Sequence, residues 1–317
     1  MILRFGLSGI LLFYLYHLVD VEKTVAVFRS VRLEFIFYAF LTSCVMTGFL
    51  LLRWFIFIWA FGIKIPVFSV VRYFFIGLFG NLFMPTSIGG DVIKVLGLCR
   101  FTDEKPKVVA SVILDRISGF LGMIVVAFFA FIFSFSILRD FSLLVMILGM
   151  AMVAVLMLAV LFHEPFYAFF VRAFSRFPKL QKSLMEMHYD IALLKDQKSA
   201  FYKAVAISSL GQIVCAVCYY LLSLGLLQDV RLIYFIIFVP LITVASAFPS
   251  IGGLGVREAG IVFLLAKVGV DSGISVSLGL LNFLFMMLTG IMGGIFFAAT
   301  QSVKSAAPAG FNTSTIS

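Results

Sequence analysis

The stretch that decides the fold is Asn81-Leu82-Phe83-Met84-Pro85-Thr86-Ser87-Ile88-Gly89-Gly90-Asp91, which interrupts an otherwise apolar run over 67–98. Proline removes a helical hydrogen bond and paired glycines weaken a helix, so no continuous span passes through it. A second apolar run, 233–266, breaks at Pro249-Ser250-Ile251-Gly252-Gly253. In hydrocarbon, broken backbone survives only where it is buried in protein or lines a wet cavity. The likeness extends past the shared Ser-Ile-Gly-Gly string. A basic residue follows the second glycine by four places in both arms, Lys94 and Arg257.

Around these breaks the chain reads as membrane-spanning. Hydrophobic residues make up 63% of the 317 and charged residues 12%, about half the share of roughly 25% usual in soluble domains. Six runs are long enough for ordinary spans: about 2–19, 35–60, 108–136, 141–162, 201–226 and 272–299. Arg4 precedes the first, and no small-residue cleavage site follows, so it is expected to be an uncleaved span. The expected fold is an all-α integral membrane bundle of about six full spans plus two broken re-entrant hairpins. It forms one transmembrane domain, 1–304, followed by a disordered tail, 305–317.

Charge sets the expected orientation. The formal net charge is +9, from 24 Lys and Arg against 15 Asp and Glu. The basic residues gather in loops, which reads as the positive-inside bias and not as nucleic-acid binding. The 163–200 loop carries Arg172, Arg176, Lys179, Lys182, Lys195 and Lys198 and is placed in the cytoplasm. Its charges interleave with Phe174, Phe177, Leu180, Leu184 and Met187, the pattern of an amphipathic surface helix. Tracing outward puts Arg100, Lys105 and Lys107 and both termini inside. The 67–98 hairpin then enters from the cytoplasm and the 233–266 hairpin from outside. The halves 35–136 and 201–299 are thus expected to be inverted repeats, the pattern that marks a transporter's binding site.

Charges inside apolar runs are costly and each needs an account. Asp91 and Lys94 follow the first break, Arg257 and Glu258 the second, and Asp115 and Arg116 sit within the span 108–136. In each arm a helix is expected to start at Ser-Ile-Gly-Gly, capped by Ser87 or Ser250 or by backbone, with its N–H groups and dipole favouring an anion. Gly89, Gly90, Gly252 and Gly253 allow close headgroup approach, while Pro85 and Pro249 break the helices. Arg257 suits bidentate capture of a phosphate or carboxylate, and Lys94 acts as a point charge. Asp91, Asp115 and Glu258 are expected to neutralise the cations of an empty site. These pairs also suit plain ion pairing that locks the bundle. Asn81 suits either a backbone contact near the break or a ligand contact. Arg53, beside Trp54 and near Trp59, reads as a side chain snorkelling to the interface.

Other chemistries find little support. Neither a Walker A pattern nor a metal or triad constellation is present, and His17, His163 and His188 are far apart. Gly253 and Gly255 only faintly match a dinucleotide loop, with no glycine at 258. Cys215 and Cys218 have a redox spacing but lie inside a span, where helix packing is the expected role. No cofactor or metal is expected, and the chain is not expected to be an enzyme.

Three motifs in order carry a family resemblance: Asn81 to Asp91, then Leu114-Asp115-Arg116-Ile117-Ser118-Gly119, then Pro249 to Glu258 with Gly255 within it. The chain resembles the flippase-like membrane family named for the transmembrane region of lysylphosphatidylglycerol synthase, over essentially its whole length. The resemblance implies a bacterial or archaeal inner-membrane protein linked to translocation of phospholipid or isoprenoid lipid. Bifunctional members add a soluble acyltransferase-like domain, and this sequence ends soon after its last expected span without one. The leading expectation is a flippase handling a lipid with an anionic headgroup. The rivals are the membrane part of a lysyltransferase-type enzyme and a scaffold for envelope synthesis.

Overall fold

The computed structural model describes residues 31–84, 89–134, 141–162, 198–246 and 255–306, and within them every regular element is an α-helix. In chain order these are α1 (Leu33–Ala60), α2 (Val67–Phe83), α3 (Gly89–Leu98), α4 (Lys105–Ser134) and α5 (Phe141–Phe162). They continue with α6 (Lys198–Gly225), α7 (Leu232–Ala245), α8 (Val256–Ala266) and α9 (Ser272–Ala306). The expected first span 2–19, residues 163–197 of the surface loop and residues 307–317 of the tail lie outside the described residues.

Four of these helices, α1, α4, α6 and α9, are long and apolar enough to cross a bilayer. Hydrogen bonds closed within one segment let such helices dissolve in hydrocarbon. Hydroxyls follow the same rule. Thr42, Thr47, Thr243 and Thr300 each donate to the carbonyl four residues back, at 2.7–3.0 Å. Large apolar side chains such as Phe37, Leu41 and Val45 on α1, Leu148, Met152 and Val155 on α5, and Ile291 and Ile295 on α9 stand exposed. In water that surface would aggregate, whereas in lipid it is solvated.

Two hairpins are inserted among the long helices. In the first, α3 folds back antiparallel along α2. The Gly90 N–H donates to Asn81 Oδ1 at 2.8 Å. Further along, Gly77 lies against Gly90 and Lys94, and Gly97 against Tyr73. The chain therefore returns at Leu98 to the level of Tyr73. In the second hairpin α8 folds back on α7, with Gly260 beside Ile242. Helices α3 and α8 have 10 and 11 residues, about 15–17 Å of rise and half of a ~30 Å hydrocarbon core.

The hairpins open toward opposite ends of α4. The first leads directly into the start of α4 at Lys105. The second closes at Lys267, whose Nζ donates to Ser142 Oγ at 2.7 Å, at the start of α5 just beyond the other end of α4. Helix α1 runs antiparallel to both α4 and α6, with Trp54 Nε1 donating to Ser111 Oγ at 3.2 Å and Arg32 N–H to Gly225 O at 3.0 Å. Helix α9 packs antiparallel on α2, where Gly290 and Gly293 meet Leu82 and Phe75. Two apolar cores result, one around Trp54, Phe57, Phe74 and Leu114, the other around Leu222, Phe235, Phe238 and Leu264.

Candidate functional site

The first charged cluster forms where α1, α3, α4 and α6 meet. Asp91 is placed by the opening turn of α3 and is 8% exposed. It pairs with Lys94 Nζ at 3.4 Å, one turn along the same helix, and with Arg116 Nε from α4. Lys94 is itself buried and its ammonium lies over two rings, 5.2 Å from the Trp54 centroid and 4.9 Å from that of Phe74. A cation desolvated in this way is held by ring quadrupoles as well as by its carboxylate. Asp115, the neighbour of Arg116, faces α1 and receives Arg53 Nε at 2.6 Å. Arg53 Nη1 also donates to Ser208 Oγ at 3.2 Å, and that hydroxyl donates to the Gly119 carbonyl at 3.2 Å. Gly119 allows this, since a Cβ there would collide with the Arg53 guanidinium.

Arg53 is thus not a snorkelling side chain. The helix turns it inward to a buried carboxylate while Trp59 stays exposed on the outer face. The reason is energetic: Asp115 buried without a cation is worse than Arg53 drawn away from the interface.

The second cluster sits at the start of α8. Gly255 is its N-cap, with φ +84, a conformation that favours glycine. Glu258 reaches back so that Oε2 accepts the Gly255 N–H at 2.7 Å. Its other oxygen, Oε1, accepts from Arg257 Nε at 3.1 Å and Nη2 at 2.9 Å. Arg257 Nη1 points to Met286 Sδ at 3.0 Å, and the guanidinium lies 5.4 Å from the Phe283 centroid on α9. Glu258 is wholly buried and Arg257 is 5% exposed. The described part of this helix begins at Val256 with Gly255 as its cap, and the expected start at Ser250 to Gly253 lies outside the described residues. The Glu258 carboxylate, three residues past the cap, ties this positive-φ backbone.

Of the sequence-derived candidates, Asn81, Gly89, Gly90, Asp91 and Lys94 come together in the first hairpin, with Asp115 and Arg116 against it. Gly255, Arg257 and Glu258 come together in the second. Pro85, Ser87, Pro249, Ser250, Gly252 and Gly253 lie outside the described residues. Asn81 acts on backbone, as the acceptor for the Gly90 N–H near the start of α3. Sequence reasoning missed Arg53 and Ser208 as members of the first cluster. The serine carried no signal beyond its place in an apolar run. Among the described residues no group of three or more His, Cys, Asp or Glu is placed to hold a metal ion. All four cysteines are free thiols, and Cys218 Sγ packs on the Ala39 carbonyl at 3.3 Å.

Long apolar helices, a lipid-compatible exterior and buried ion pairs where the helices meet define a polytopic helical membrane protein. More particularly, the chain belongs to the family described as the lysylphosphatidylglycerol synthase TM region, which it matches over residues 1–294. It is also similar to a UPF0104 membrane protein of Pyrococcus horikoshii, with 25% identity over 306 residues, covering 87% of this chain and 90% of that protein. No solved structure matches the chain significantly.

Proposed function

We propose that this protein translocates a phospholipid or isoprenoid-linked lipid across the cell membrane, handling its anionic headgroup between the two hairpins. One observation carries the reading. Two half-length helices, from hairpins that open toward opposite ends of α4, each start beside a cluster of paired charges that is largely buried. Broken helices in the two halves of a chain, with free N–H groups and dipoles aimed inward, are how transporters offer a site to an anion near the midplane. Asp91, Asp115 and Glu258 balance the cations of the empty site and release them to an arriving phosphate. The turn with Arg100, Lys105 and Lys107 belongs on the cytoplasmic side of an inner membrane, with both termini, and the end of α6 on the opposite side. The reading is of a transporter without a chemical step or cofactor.

The test is reconstitution. The purified chain in vesicles should speed the exposure of fluorescent phosphatidylglycerol, or of a fluorescent isoprenoid phosphate, to an external quencher. It should act less on phosphatidylcholine, and Arg257→Gln should lower the anionic rate at least tenfold at equal protein level. Vesicles indistinguishable from protein-free ones for both anionic probes overturn the reading. A second reading, the membrane part of a lipid-modifying enzyme that works with a soluble partner, is favoured by the family's description. Transfer of an aminoacyl group to phosphatidylglycerol by the chain plus such a partner supports it, and neither activity leaves a scaffold.

A further inference from the structure

One face of α6 runs between the two charged clusters. Ser208, Gln212 and Tyr219 are separated by four and seven residues. At about 100° per residue they lie within roughly 40° of one another. All three are buried. Ser208 belongs to the first cluster through Arg53 and the Gly119 carbonyl. Tyr219 shares an apolar core with Ile261 and Leu264 of α8, the helix whose first turn carries Arg257 and Glu258 of the second cluster. Helix α6 rises about 16 Å between Ser208 and Tyr219, and Gln212 stands about 6 Å beyond Ser208.

Gln212 is 6% exposed, yet its Nε2 has no hydrogen-bond partner. Among the described residues one other buried side-chain nitrogen shares this state, Arg72 Nε, on a partly exposed guanidinium lying over the Tyr73 ring. Arg72 lies near the open end of the first hairpin, whereas Gln212 is buried midway along α6. A buried amide N–H without an acceptor is unfavourable and rare enough to need an explanation. The missing partner must be an acceptor, and an anionic one is favoured because, among the described residues, the nearer cluster sets three cations, Arg53, Lys94 and Arg116, against two carboxylates, Asp91 and Asp115. An arginine lies toward either end of the face, each already balanced by a carboxylate, Arg53 by Asp115 and Arg257 by Glu258.

We propose that Gln212 is a headgroup-binding residue, its amide donating to a phosphate oxygen of the lipid as the headgroup passes between the two clusters. The inference rests on the translocation reading and names a step within it. A neutral donor suits a midpoint. It satisfies the phosphate without adding a charge strong enough to trap it between Arg53 and Arg257.

The experiment compares wild type with Gln212→Leu, close in volume but without a donor, and Gln212→Glu, which keeps the length and offers a carboxylate. Retained phosphatidylglycerol is measured by native mass spectrometry, together with translocation of its fluorescent form and the melting temperature of delipidated protein. Gln212→Leu should retain and move phosphatidylglycerol at least tenfold less well while melting at or above the wild-type temperature. The orphan donor no longer penalises the empty state in that variant. Gln212→Glu should lose more, because a carboxylate repels phosphate. Wild-type retention and transport by Gln212→Leu, with a lowered melting temperature, overturn the proposal and assign the amide to structure. Failure of both Gln212→Leu and Gln212→Met to fold does the same. If wild type itself neither retains nor moves phosphatidylglycerol or an isoprenoid phosphate, the translocation reading falls first and this step with it.

Discussion

Arg53 Nε and Asp115 Oδ1 lie 2.6 Å apart across the α1–α4 interface, with side chains 11% and 8% exposed. Removing one partner strands the other charge where neither water nor lipid solvates it. Arg53→Leu or Asp115→Leu alone should therefore destabilise the protein by about 3–5 kcal/mol. The double variant Arg53→Leu/Asp115→Leu should recover most of that loss. Thermal or denaturant unfolding in detergent measures the cycle. Additive single effects would mean that the contact contributes little.

A second prediction concerns helix contact. A Cβ on Gly293 would overlap the Phe75 carbonyl oxygen, a backbone atom that cannot swing aside, so α9 and α2 would have to part. Gly293→Ala should destabilise by about 1–3 kcal/mol. Gly149 on α5 has nothing within 4 Å of the same position. There Gly149→Ala should be neutral or stabilise by up to ~1 kcal/mol through helix propensity. The melting temperatures of the two variants should move in opposite directions, or only the first should fall.

Orientation follows from where the hairpins open. Lys64 and Asp103 flank the first hairpin and are exposed, as is Asp229 between α6 and α7. In a background with all four native cysteines replaced, Lys64→Cys and Asp103→Cys should react with an impermeant maleimide only from the cytoplasmic side. Asp229→Cys should react only from outside. Labels at 64 and 103 found on opposite sides would make the first hairpin a full crossing and remove the inverted relation of the two arms.

Much of the bundle was legible in sequence because membrane helices are local objects. Their backbone hydrogen bonds close within one segment, so apolar length alone marks α1, α4, α5 and α6 to within a few residues, and α9 except that it runs on from 299 to Ala306. Broken runs marked both hairpins for the same reason, since proline and paired glycines act on their own turn. Costly intramembrane charge picked out Asp91, Lys94, Asp115, Arg116, Arg257 and Glu258.

Partnership was another matter. That Arg53 turns to Asp115 and Ser208, that Asn81 receives the Gly90 N–H, and that Gln212 keeps an unpaired donor between two clusters depend on helix rotation and register. The start of α8 at Gly255 likewise depends on a carboxylate reaching back across a turn. A one-residue change in helix facing moves a side chain by about 100°, enough to exchange lipid for the interior. Local composition therefore determined which segments enter the membrane and where they break. Only the packing of those segments decided which buried charges neutralise each other and which polar group is left waiting for a partner.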